Sequence, residues 1–175
     1  MFLIQEEQMN YFRKFIFLWV LFFCFALSVF SVDENIVKIE ASVSPQRLAR
    51  GQEGKLVLKL TLQEGISISP QPSFIIEISP GEEISFSKNV YTANDLGIKI
   101  SKENGEEYLD LKEPLEMLFQ VRLEAKQGNH RLEGKIKYFA CSKEEKWCLK
   151  NSTKFSAAYY TRNTTFKKKK GSSPI

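Results

Sequence analysis

An antiparallel β-sandwich behind a secretory signal is what this sequence predicts, and three observations predict it. Apolar and polar residues alternate with period two through most of the chain after Asp33. Gly, Pro and Asn turn signals recur between the alternating runs, and no run keeps a helical period for more than a turn or two. The 134 residues from Asp33 to Phe166 suffice for one such core, with no internal repeat and no domain boundary inside it.

The N-terminal segment, residues 1–32, is different in kind. No residue from Phe15 to Val32 is charged, and this 18-residue stretch follows directly on Arg13 and Lys14. A basic flank, an apolar core and small residues near its end describe a signal peptide, with Val29 and Ser31 at the minus-three and minus-one positions of cleavage. An uncleaved anchor is the alternative, because 18 residues is the short end of a bilayer span. In both cases the basic flank stays inside, so Asp33 onward is expected in the periplasm or another extracytoplasmic space, free or tethered through its N-terminus. Cys24 belongs to the apolar core of that segment, leaving Cys141 and Cys148 in an oxidising compartment.

The chain carries 25 Lys and Arg against 21 Asp and Glu. Without residues 1–32 (Glu6, Glu7, Arg13, Lys14) the count is 23 against 19, and without Lys167, Lys168, Lys169 and Lys170 it is 19 against 19. The body is neutral, and the surplus belongs to residues 167–175, read as a basic disordered tail. Nucleic acid is therefore not an expected partner, and a monomer is expected. One histidine and two cysteines do not assemble a zinc site, so neither metal nor cofactor is expected. His130, beside Gly128 and Asn129, reads as a solvated turn residue. The triplets Asn151-Ser152-Thr153 and Asn163-Thr164-Thr165 match the glycosylation acceptor pattern, which Ser/Thr-rich segments also produce by chance.

The strands follow in order. A weak alternating run covers Val37 to Val43; Leu56, Leu58, Leu60 and Leu62 then share one face, opposed by Lys55, Lys59 and Thr61. Phe74, Ile76 and Ile78 repeat the pattern, and weaker runs lie at Ile98 to Ser101 and Tyr108 to Leu111. The clearest run is Leu115, Met117, Phe119, Val121, Leu123 and Ala125, with Leu118 as its one exception. Turns are expected at Ser44-Pro45, Arg50-Gly51, Ser69-Pro70, Pro80-Gly81, Asn104-Gly105 and Gly128-Asn129.

The last two runs, Arg131 to Cys141 and Trp147 to Tyr160, are joined by Ser142 to Lys146 and hold both remaining cysteines. Leu132, Gly134, Ile136, Tyr138 and Ala140 share one face, so Cys141 lies on the other, with Lys135, Lys137 and Phe139. Trp147, Leu149, Phe155, Ala157 and Tyr159 share a face of the second run, which puts Cys148 with Lys150, Ser152 and Lys154. In a hairpin both thiols then project from the same outer side, with Cα atoms roughly 4.5 to 5.5 Å apart if directly opposed, within disulfide range. Closing a loop of eight residues is worth about 2.5 kcal/mol by chain entropy, against about 4.7 for a hundred residues. A structural cross-strand disulfide and a redox-active pair both fit this spacing. Lys137, Lys143, Lys146 and Lys150 favour a thiolate, and Glu144 and Glu145 largely offset them.

The stretch GNHRLEGKIKYFACSKEEKWCLK, through Gly134, Tyr138, Ala140, Cys141 and Cys148, resembles the end of the N-terminal periplasmic domain of DsbD-type thiol:disulfide interchange proteins. The Pro80-Gly81 turn and the long run from Leu115 to Ala125 fall in that family's order. The resemblance implies an immunoglobulin-like sandwich acting as a protein-disulfide reductase component. Its cysteine pair would take electrons from a membrane-embedded thiol reductase and pass them to periplasmic thioredoxin-like proteins. It further implies that Cys148 forms the mixed disulfide with a partner, that Cys141 resolves it, and that an aromatic cap shields the pair. Phe86 and Tyr91 are the candidates for that shield, and Phe139, on the face of Cys141, is a third. The family often places Pro after its second cysteine, where this chain has Leu149 and Lys150. With no second hydrophobic segment before Ile175, the donor is expected to be a separate protein.

Overall fold

The computed structural model describes residues 36–79, 81–103 and 105–166, so the signal and tail expectations lie outside the described residues. Those described form twelve strands and no helix. In chain order they are β1 (Val37–Ser44), β2 (Arg47–Arg50), β3 (Glu53–Leu62), β4 (Ile66–Ile68), β5 (Ile75–Ile78) and β6 (Ile84–Phe86). There follow β7 (Val90–Thr92), β8 (Ile100–Glu103), β9 (Glu106–Leu109), β10 (Leu115–Val121), β11 (Gly128–Ser142) and β12 (Trp147–Thr165).

Two sheets face one another. The first has the order β1-β3-β10-β6, the second β2-β12-β11-β5-β7, with β4 paired to the end of β11. Every pairing is antiparallel except β2 with β12. Taking β1, β3, β5, β10, β11 and β12 as strands A, B, C, E, F and G, these are the A-B-E and G-F-C arrangements of an immunoglobulin-like sandwich. The link from β5 to β10 departs from the usual path, since it adds β6 beside β10 first and β7 beside β5 afterwards. β8 and β9 form a separate two-stranded ribbon.

The period-two pattern becomes burial directly. β10 alternates buried and exposed at every residue, and β3 and β11 do so nearly throughout. Leu56, Leu58 and Met117 from the first sheet meet Ile76, Ile136 and Tyr138 from the second in one continuous core. At Gly134 an added Cβ would stand 2.7 Å from the Glu77 carbonyl oxygen and 2.5 Å from the Phe155 ring, so the strand needs glycine there for the ring to lie across it. β10 ends at Val121, earlier than the alternation suggests, and beyond it Leu123, expected on the inner face, is exposed while Ala125 is still buried. Leu118 lies on the exposed face, as its place out of phase requires.

Three segments differ from the alternating pattern. Arg47–Arg50, which no alternating run marks, is a strand, because it pairs with the edge of β12. The weak runs at Ile98 and Tyr108 leave both main sheets and pair with each other. His130 is within β11, and its ring stacks on Tyr159 at 5.2 Å between centroids with Nε2 2.8 Å from the Lys126 carbonyl oxygen.

Candidate functional site

β11 and β12 are the longest strands and pair without a break from Gly128↔Thr161 to Ser142↔Trp147. A four-residue turn, Lys143 to Lys146, closes them. Lys146 takes a left-handed conformation at φ 58°, which turns the chain back. Ser142 Oγ accepts the Glu145 N–H at 3.1 Å, and the Trp147 indole N–H donates to the Glu145 carboxylate. The tip is thereby ordered by its own polar groups.

Cys141 and Cys148 are direct partners in this ladder and are joined as a disulfide, with Cα atoms 4.1 Å apart and sulfurs 2.09 Å apart. Tyr138 and Ala140 face the core, so both sulfurs project from the outer face. Their surroundings differ. Cys141 is half-buried because β4 lies along β11 there, with Cys141 opposite Ser67 and the Ser67 hydroxyl 3.4 Å from the Cys141 carbonyl oxygen. Cys148 is exposed. β2 joins β12 only from Tyr160 onward, so among the described residues no strand pairs with the outer edge of β12 at Cys148.

A depression of about 340 Å³ borders the disulfide, lined by Ser67, Ser69, Glu106, Glu107, Ser142, Lys146 and Trp147 besides the two cysteines. The β8–β9 ribbon reaches it through Glu106 and Glu107 and is tied to the hairpin turn by Lys143, whose ammonium pairs with Glu103 and lies 5.0 Å from the Tyr108 ring centroid. That hydrogen bond raises the Lys143 pKa and lowers that of Glu103. Lys137 is likewise taken up, by Glu77. Of the four lysines expected to favour a thiolate, only Lys146 lines the depression, and Glu106 and Glu107 stand in the same wall. Among the described residues no group of three His, Cys, Asp or Glu side chains is placed to hold a metal.

The candidate shields separate. Phe86 lies in the first sheet, its ring 5.4 Å from Phe119 and 6.5 Å from Tyr91 between centroids. Tyr91 is buried in β7 opposite Ile76, itself opposite Ile136, five residues along β11 from Cys141. The strand register thus directs both rings into the inter-sheet core, and neither lines the depression. Phe139 does lie on the outer face, half-buried and directly opposite Lys150. What stands beside the disulfide instead is β4, β9 and Trp147. Asn104-Gly105 between two short alternating runs signals the β8–β9 hairpin, but nothing local signals where it docks.

No family model matches the chain, and no curated protein matches it. Among solved structures, a cohesin module from a Clostridium perfringens family 33 glycoside hydrolase is similar at TM-score 0.39 and 9% identity, covering 73% of this chain and 98% of that one. BcpA, the major pilin subunit of Bacillus cereus, gives 0.37 and 11%, covering 74% of this chain and 41% of its own. MyfA, the major subunit of Myf fimbriae from Yersinia enterocolitica, gives 0.34 and 13%, covering 72% and 99%. This chain spans less than half the length of the Bacillus pilin. Similarity at this level carries no function, and the fold rests on the strand order itself. The chain is an immunoglobulin-like β-sandwich with a cross-strand disulfide at the exposed tip of its longest hairpin.

Proposed function

We propose that this domain is an extracytoplasmic thiol–disulfide exchange module working through Cys141 and Cys148. The observation that carries the reading is the asymmetry of the pair: Cys148 is exposed on an edge that no strand pairs among the described residues, while Cys141 is half-covered by β4. Attack on a disulfide needs a thiolate that a partner can reach, and resolution needs a second thiol beside it that the partner does not reach first. In the reduced domain, the Cys148 thiolate attacks the disulfide of a thioredoxin-like partner, forming a mixed disulfide and releasing one partner thiolate. Cys141, as thiolate, then attacks the Cys148 sulfur. The partner leaves as a dithiol, and the domain is left with the Cys141–Cys148 disulfide, two electrons poorer. A separate dithiol donor, a membrane-embedded reductase on the resemblance to DsbD-type domains, returns the pair to the reduced state.

A Cys141→Ser variant is expected to accumulate mixed disulfides through Cys148, seen as heavier bands on non-reducing gels that vanish with reductant. Absence of any trapped partner, together with a wild-type disulfide that reduced thioredoxin leaves intact, would sink the reading.

A second reading has its own observation. The disulfide joins a directly opposed pair within an unbroken ladder, flanked by Ala140↔Leu149 and Ser142↔Trp147, as a cross-strand staple does. In that case the domain is a non-enzymatic binding module and the disulfide pins its tip. The reduction potential separates the two, since a value below about −300 mV is that of a structural bridge.

A further inference from the structure

We infer that the outer face of the second sheet, running from the disulfide toward Arg131, docks an acidic segment of a partner protein. Strand alternation collects Arg131, Lys135, Lys137, Lys150 and Lys154 on that face, against Glu77 and Glu133 on the paired strands, with Glu106 and Glu107 of β9 confined to its disulfide end. The opposite face of the sandwich is balanced: Lys38, Lys55 and Lys59 stand with Glu40, Glu53 and Glu116, and Lys38–Glu40 and Lys55–Glu116 are paired at 3.1 and 2.7 Å.

Lys135 and Lys154 face one another directly across the ladder, a like-charge pair that opposes sheet formation. Glu77 relieves one side only, pairing with both Lys135 and Lys137. Among the described residues no carboxylate lies within 4.0 Å of Lys150 or Lys154. Phe139, half-buried opposite Lys150, supplies an apolar contact within this cationic surface. An acidic segment laid along it meets the unpaired charge and the aromatic together, and such complementarity is read as on-rate and salt dependence. The inference holds whether or not the disulfide is exchanged.

The test uses the full chain in neutral detergent and a fluorescein-labelled synthetic peptide of alternating Glu and Tyr, followed by anisotropy. Saturable binding is expected, weakened at least about tenfold by K150E/K154E and less than about twofold by K38E/K59E on the balanced face. Raising the salt from about 0.05 to 0.15 M should weaken the wild type most. The near-ultraviolet circular dichroism of each variant checks that the fold is kept. Equal loss in both variants, loss on removing Lys167 to Lys170 with the face intact, or no saturable binding overturns the inference. So does preference for mixed micelles of the same detergent with phosphatidylglycerol over the peptide, which assigns the face to a membrane.

Discussion

The middle and the tip of the β11–β12 hairpin are built from the same alternating pattern and are held in different ways. At its middle, Ile136 and Phe155 are buried, and the Phe155 ring lies across Gly134 against the backbone of β5. At its tip the second sheet still has β4 alongside, but Leu149 is 55% exposed and Trp147 only half-buried. Ala140 and Ile68 are the last fully buried residues toward the tip, and Trp147 packs against them from one side only. The disulfide therefore sits at the margin of the hydrophobic core, on its outer face. A covalent link there closes eight residues and constrains little of the unfolded chain, so opening it leaves the sandwich its main source of stability. That separation of core and tip is what a domain needs if its cysteine pair is to be opened and closed in use.

The comparison is broken most directly in the core. Ile136→Ala removes a fully buried side chain from the facing sheets and is expected to cost about 3 kcal/mol in urea unfolding. An effect no larger than that of a change at the tip would show that the hairpin is uniform in stability. The double variant Cys141→Ser, Cys148→Ser is expected to lose at most about 2.5 kcal/mol and to keep the native circular dichroism. Failure of that variant to fold would make the disulfide a structural requirement and remove the contrast.

The smallest effect concerns the contact between the tip and the β8–β9 ribbon. Glu103→Gln is expected to leave global unfolding unchanged while amide exchange in β9 quickens, since the Lys143–Glu103 pair is exposed. The pH dependence has a defined sign. The Glu103 pKa is lowered in the fold, so its contribution is complete above the ordinary carboxylate range and is lost as pH falls through that range and below it. Acid should therefore loosen β9 in the wild type and change little in Glu103→Gln. Identical acid behaviour of the two proteins would show that the ion pair does not hold the ribbon.

Much of the disulfide's geometry was legible before any tertiary structure. Cys141 is out of phase with Tyr138 and Ala140, and Cys148 with Trp147 and Leu149, so both had to face outward once the runs paired. The short turn left little freedom in register, which is why they are direct partners. The places of the aromatic candidates were not legible. Phe86 and Tyr91 sit near a turn in sequence, and only the pairings Phe86↔Phe119 and Tyr91↔Ile76 show that they belong to the core. Glu106, Glu107, Ser67 and Ser69 carried no local mark of being near the cysteines.

What the amino-acid sequence determined by itself is the set of faces: which residues of each strand go inward, that the fold is all-β, and that both cysteines share the outer side of one hairpin. These follow from period two and turn chemistry, which act over a few residues. The tertiary structure alone decided which edges meet: β2 along β12, β4 against Cys141, and the β8–β9 ribbon beside the disulfide. Edge pairing joins backbone groups present at every residue, so its partners are chosen by the packing of the whole sandwich and not by any local motif.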